Sequence, residues 1–207
     1  AHKHGRMVCD FVSGGNCSRG SVTQPRSNNY APTGFLNKKG VDPDLSKTET
    51  NDCHKHYPWP IIRLAELYLG YAEACIETGD LSTARTYINK VRTRAGIPTL
   101  EASWSKSKDP NKPYTQSGLR DIVRQERMIE FYLENQNFWD MRRWLLAEKY
   151  FNTKAQGMNI SATSVSDFCK VTEVSFERKF TSPANYLMPI PIDDMNKDSK
   201  LVQNPGY

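Results

Sequence analysis

At 207 residues and 23.6 kDa the chain is long enough to bury a core of its own, as one domain of ordinary size or a large part of something bigger. Its 28 Lys and Arg against 23 Asp and Glu give a net charge of +5, but the two signs are interleaved and form no basic block, so nucleic acid is not an expected partner. The sequence shows no signal peptide, lipobox or apolar run of about 18 residues, so no segment present is expected to target or span a membrane. Residues 1–58 are rich in Gly, Ser, Asn, Pro and Lys and show no helical period, so they read as an extended, loop-rich segment distinct from a helical region over 59–207. Cys9 and Cys17 are close enough in a Gly/Ser loop to bridge in an oxidising compartment, although the sequence does not decide it. His2 with His4, and Cys53-His54 with His56, each supply half a metal site, and no CxxC pair completes one, so no metal is expected. Tyr57 and Trp59, in HYPWP, read as a hydrophobic staple for the helix that follows.

Residues 61–95 read as a helical hairpin. Ile61, Leu64, Ala65, Tyr68, Tyr71, Ala72 and Cys75 form one stripe at helical spacing, and Ile62, Leu69 and Ile76 widen it to about half the circumference. A helix so broadly apolar is expected to touch neighbours on two sides. Gly79 ends it, Asp80 caps the second helix, and Leu81, Ala84, Ile88, Val91 and Ala95 continue the inner row. The hairpin resembles one tetratricopeptide repeat, a unit that buries its faces on further copies.

A loop is expected over 96–118, in which Trp104 and Tyr114 are the only large side chains. From Leu119 to about Leu133 a helix places Glu126 and Glu130 among Leu119, Ile122, Val123, Ile129 and Leu133. Because a buried unpaired carboxylate costs several kcal/mol, each is expected to meet an arginine, with Arg63, Arg92, Arg94, Arg142 and Arg143 available. A single helix is then expected over FWDMRRWLLAEKYF, capped by Asn137, with Asp140 in its first turn and Phe138, Met141 and Leu145 on its inner row. Trp139 and Trp144 read as core or interface residues, and Arg142 and Arg143 as structural partners of the acidic row. The tail starts extended, since Pro189 and Pro191 exclude helix, and closes with Pro205-Gly206 in a type II turn.

Taken in order, IRLAELYLGYAEACIETGDL, NKVRTRAGIP, RQERMIEFYLENQNFWDMRRW, YLMPIP and LVQNPGY resemble the C-terminal part of the SusD/RagB family, over residues 59–207. GFLNKKG, residues 34–40, resembles the extended segment before that family's first helix. The resemblance implies a mainly α fold, with a tetratricopeptide-like hairpin, further helices, long loops and short extended segments. It further implies an outer-membrane lipoprotein of Bacteroidetes that binds polysaccharide or oligosaccharide at the cell surface. Such a protein passes glycan to a SusC-like TonB-dependent transporter, without catalysis or cofactor, its membrane attachment resting on a lipid anchor that this sequence does not include. The alternative is a tetratricopeptide-like protein-interaction module without sugar binding.

Glu126 and Glu130, about 6 Å apart at Cβ, approach the spacing of a retaining glycosidase pair, but two carboxylates on one helical turn cannot flank a bond from opposite sides. They are read as structural ion pairs. Asp194, Asn196 and Asp198 mimic the start of a calcium loop that Ser199 and Pro205 then break, so capping and turn roles are expected. Sugar recognition needs a flat aromatic face and polar groups for hydroxyls, and Trp104 and Tyr114 supply that type in their polar loop. Trp104 also fits as a lid folded over the hairpin, and the sequence leaves both readings open.

Overall fold

The computed structural model describes residues 10–15, 17–18, 31–40, 60–174 and 176–207. They are mainly α-helical: α1 (Leu64–Thr78), α2 (Leu81–Arg94), α3 (Leu100–Trp104), α4 (Gln116–Glu130), α5 (Gln136–Arg143), α6 (Ala147–Phe151), α7 (Val165–Phe168) and α8 (Ile192–Lys197). Two short 3₁₀ turns, Lys112–Tyr114 and Ala184–Tyr186, interrupt the connections. The described residues hold one sheet, in which β1 (Gln156–Met158) pairs antiparallel with β2 (Val171–Glu173), Gly157 opposite Thr172. The chain divides into two compact units, residues 42–140 and residues 1–41 with 141–207. His2, His4, Cys9, Cys53, His54, His56, Tyr57 and Trp59 lie outside the described residues, and with them the proposed bridge, half-sites and staple.

In the first unit α1 and α2 form the hairpin and α4 packs along both. Small residues let the helices approach: Ala65, Ala72, Cys75 and Ala84 alternate with Leu69, Ile76, Ile88 and Val91, and Leu119, Ile122 and Val123 of α4 complete the core with Leu100 and Phe131. Glycine at the left-handed position ends α1 (Gly79, φ +89°), where Gly79 N–H donates to Ile76 C=O and Asp80 N–H to Cys75 C=O. Asp80 then accepts from Thr83 N–H at 3.0 Å and starts α2. Gln116, in the first turn of α4, also donates to the Ile76 carbonyl, at 2.8 Å, and fixes that helix against the end of α1.

Several expected positions are corrected. The buried row of α1 is Ala65, Leu69, Ala72, Cys75 and Ile76, whereas Ile61, Ile62, Leu64 and Tyr71 are exposed, because α2 and α4 cover one side of the helix. The loop after α2 contains α3, started by Thr99, whose side chain accepts from Ala102 N–H. α4 stops at Glu130, which leaves Leu133 (φ +61°) beyond it and exposed, and Ile129, inside the helix, is exposed as well and does not belong to its apolar face. α5 begins one residue before Asn137, whose amide donates instead to Met128 C=O, and Asp140 is buried at the fifth helical position. The expected single helix is two, α5 and α6, separated at Leu145, which is left-handed (φ +55°) and exposed, as is Trp139.

In the second unit Met141, Ala147, Phe180 and Ala184 are buried, and Phe180 stacks with Phe151 and meets Tyr186 edge-on at 4.8 Å. Segment 31–40 reaches β1 through a bond from Met158 N–H to Thr33 C=O at 2.9 Å. The tail is extended through Pro191, forms α8, and closes in the Pro205-Gly206 turn with Gly206 at φ +95° and Tyr207 N–H bonded to Asn204 C=O. Asp193 and Asp194 fall in the first turn of α8, and Asp198 accepts from Lys200 N–H, so this acidic run serves helix and turn.

Candidate functional site

Trp104 and Tyr114 sit on elements that pack on each other, α3 and the 3₁₀ turn Lys112–Tyr114. α3 is tied to α2 through Asn89, whose carbonyl oxygen accepts from Leu100 N–H at 2.8 Å while its amide donates to Glu101 at 2.9 Å. That anchorage turns Trp104 onto the core, where it packs half-buried, and the Lys112 ammonium stands 5.3 Å from its ring centre. Tyr114 is 51% exposed, with the Arg85 guanidinium 4.9 Å from its ring. Arg85 also reaches Glu101 at 3.5 Å and the Pro113 carbonyl at 3.4 Å. Burial pushes the Glu101 carboxyl up, but its own backbone N–H, Asn89, Thr99 and Arg85 together bring it below its ordinary value, so it stays an anion. The result is an exposed tyrosine ring with the Arg85 guanidinium against it, beside a cluster in which Arg85, Glu101 and Asn89 pair with one another.

Glu126 and Glu130 are engaged by arginines from the hairpin and its approach. Arg92 pairs with Glu126 while also donating to Ser103 and the Pro98 carbonyl. Arg63 pairs with Glu130 and binds Glu134 at 2.8 Å, its guanidinium 5.0 Å from the Phe131 ring centre, and Arg94 reaches Glu130 at 2.6 Å. Burial works against the Arg63 charge, yet the bonds to Glu134 and Glu130 outweigh it and hold the guanidinium above its ordinary range. Arg142 and Arg143 are placed differently: their guanidinium groups lie over Phe180 at 5.6 Å and over Trp144 at 4.8 Å.

Among the described residues the most buried ion pair is one that sequence reading missed. Arg127 and Asp140, 5% and 2% exposed, share two bonds of 2.8 and 3.1 Å, with Glu73 a second acid at 3.8 Å. The signal was present, since Arg127 follows Val123 by four residues and so borders the apolar face of α4. Among the described residues no three His, Cys, Asp or Glu side chains converge as metal ligands, and no helix is long and apolar enough to cross a membrane.

Residues 2–207 match the model of the SusD family. The chain is similar to a SusD-like protein of Bacteroides ovatus, 32% identical over an aligned length of 202 positions that covers 85% of this chain and 34% of that protein. It is also similar to the starch-binding protein SusD of Bacteroides thetaiotaomicron, 31% identical over 160 residues, 74% of this chain and 23% of that one. Among solved structures it superposes on BT4246 with a TM-score of 0.74 at 31% identity, over 95% of this chain and 32% of the other. A SusD-like protein from Bacteroides fragilis gives a TM-score of 0.56 at 39% identity, covering 72% and 26%. The chain thus spans about a third or less of the length of each of these proteins.

Proposed function

Because the chain belongs to the SusD family, we propose that this protein binds extracellular glycan at the outer membrane, without cleaving it, and delivers it to a SusC-like TonB-dependent transporter. The observation that carries the reading is the family match over residues 2–207, which brings with it a relative named for starch binding. Attachment to the membrane is assigned to a lipid anchor. Tyr114 is assigned to the apolar face of a sugar ring, with Trp104 and Lys112 beside it for the ring edge and hydroxyls. Glu126 and Glu130 supply no hydrolytic pair, since both are held by arginines and both leave the same turn of α4. The tetratricopeptide-module reading is the weaker one, because α4 fills the hairpin face that carries Ala72, Cys75, Ala84 and Ile88.

The test is affinity electrophoresis of the full-length protein through gels containing amylopectin, arabinoxylan, galactomannan or laminarin, with reducing-sugar release followed in parallel. At least one polysaccharide should retard the protein, and Tyr114→Ala should weaken that binding roughly fivefold. Retardation by none of the four, or sugar release abolished by Glu126→Gln, would overturn the proposal. Delivery is checked separately by co-purification of a TonB-dependent barrel with the full-length protein from outer membranes.

A further inference from the structure

The two tail motifs, YLMPIP and LVQNPGY, fold onto each other. Asn204 donates to the Met188 carbonyl at 2.6 Å, and the Gln203 amide both accepts from Ile190 N–H and donates to Ile190 C=O. Tyr207 O–H donates to the Leu187 carbonyl at 3.2 Å. Gly206 is required at the closest point: a Cβ there would stand 2.9 Å from the Ala184 Cβ, so only glycine lets the final turn seat on the 3₁₀ turn Ala184–Tyr186.

Beside that contact lies an open cleft of about 460 Å³, within the roughly 300–1,000 Å³ of small-molecule sites. Its apolar wall is made by Leu145, Pro183, Leu187 and Pro205, and Tyr186 stands among them. Three residues of the lining carry polar side chains. The Tyr186 oxygen accepts from Glu148 N–H at 3.5 Å, which leaves the phenol proton to donate. Glu148 and Ser182 also line the cleft, and their side chains make no hydrogen bond or ion pair among the described residues.

The larger groove over α1 and α2, about 640 Å³, offers no comparable set. There Asn89 is committed to Leu100 and Glu101, Arg94 to Glu130, and the Lys90 ammonium covers Tyr87 at 4.2 Å and Tyr68 at 5.1 Å. Faces and polar groups that are already paired have little left for a ligand.

We propose that the cleft between the Ala184–Tyr186 turn and the Pro205-Gly206 turn is a pyranose subsite. The C–H face of the ring lies against Tyr186, Pro183 and Pro205, while Glu148, Ser182 and the Tyr186 hydroxyl take its hydroxyl groups. A neutral polyol suits the set because two of the three polar groups both donate and accept, and only Glu148 carries charge. The inference rests on the glycan-binding reading above and gives it a second contact point, in the unit that does not contain Tyr114.

The test uses the same four polysaccharides and the full-length protein. Glu148→Gln with Ser182→Ala removes the polar contacts without touching the aromatic cluster, and Tyr186→Phe removes one hydroxyl with the ring kept. The double variant should bind at least tenfold more weakly and Tyr186→Phe roughly threefold, with unchanged circular dichroism and melting temperature. If the wild type is retarded and both variants match it within about twofold, the subsite is refuted and the binding proposal stands. Should the variants keep glycan affinity but lose a co-purifying transporter, the cleft is a protein-docking face and the subsite is equally refuted. A wild-type protein retarded by none of the four removes both proposals.

Discussion

Arg127 and Asp140 are the residues on which the first unit's stability depends most directly. Both are almost wholly out of water and joined by two parallel bonds, with the Arg127 guanidinium also 5.0 Å from the Phe131 ring centre. A buried pair contributes little net stability as a pair, but removing one partner leaves the other charge stranded. Arg127→Met should therefore lower the unfolding free energy by about 3–5 kcal/mol, and Arg127→Met with Asp140→Leu should recover only part of that loss, because Glu73 also faces Arg127. Urea denaturation of the two single variants and the double one measures this, and a single-variant cost under about 1 kcal/mol would contradict it. The same residues show what a sequence can convey at this scale. The helical period places Glu126 and Glu130 on a buried face and so demands cations, but which arginine answers depends on how distant segments cross. Arg63 and Glu130 are 67 residues apart and carry no pattern that pairs them.

At the level of elements, three helices end by one motif with two different residues at its critical position. After α1 and α2 the left-handed residue is Gly79 or Gly96, and after α5 it is Leu145. In each case the bonds are the same: Leu145 N–H to Arg142 C=O and Leu146 N–H to Met141 C=O repeat the pairs at Gly79–Asp80 and Gly96–Ile97. A left-handed leucine costs about 1–2 kcal/mol, and glycine gives back about 0.5–1 kcal/mol of that in unfolded-state entropy. Leu145→Gly should thus stabilise the protein by about 0.5–1 kcal/mol, little packing being lost because the side chain is 71% exposed. Gly79→Ala should destabilise by about 1 kcal/mol through backbone strain alone, since a Cβ there meets nothing within 4 Å. Melting temperatures moving in opposite directions would confirm both; a loss for Leu145→Gly would show that its side chain is needed where it stands. This is also why the end of α1 at Gly79 is legible in the sequence and the break between α5 and α6 is not. Glycine announces a left-handed stop, whereas leucine continues every helical pattern and hides one. α3, α6, α7 and the β1–β2 pair are three to five residues long, too short for any period to emerge from noise.

At the scale of the whole chain, a run of exposed apolar side chains among the described residues lies along α1 and its approach. Ile61, Leu64, Leu67 and Tyr71 are 90%, 57%, 60% and 51% exposed, while Ala65, Leu69, Ala72 and Ile76 of the same segment are buried. The wheel of α1 is apolar over about half its circumference, and α2 and α4 pack on the side that carries Ala65, Leu69, Ala72 and Ile76. A row of large side chains left open to water favours association over solution, and the net charge of +5 on 207 residues opposes it weakly at physiological salt. The 207-residue chain should accordingly self-associate with rising concentration, and Leu64→Lys with Leu67→Lys should abolish this. Because both side chains are already hydrated, the double substitution should change unfolding free energy by less than about 0.5 kcal/mol. Sedimentation velocity across a concentration series, paired with urea denaturation, separates these effects. A chain that stays monomeric throughout would show that scattered exposed leucines, and not a cohesive face, are what α1 presents. Unfolding of the double-lysine variant would show instead that Leu64 and Leu67 pack more tightly than their exposure implies.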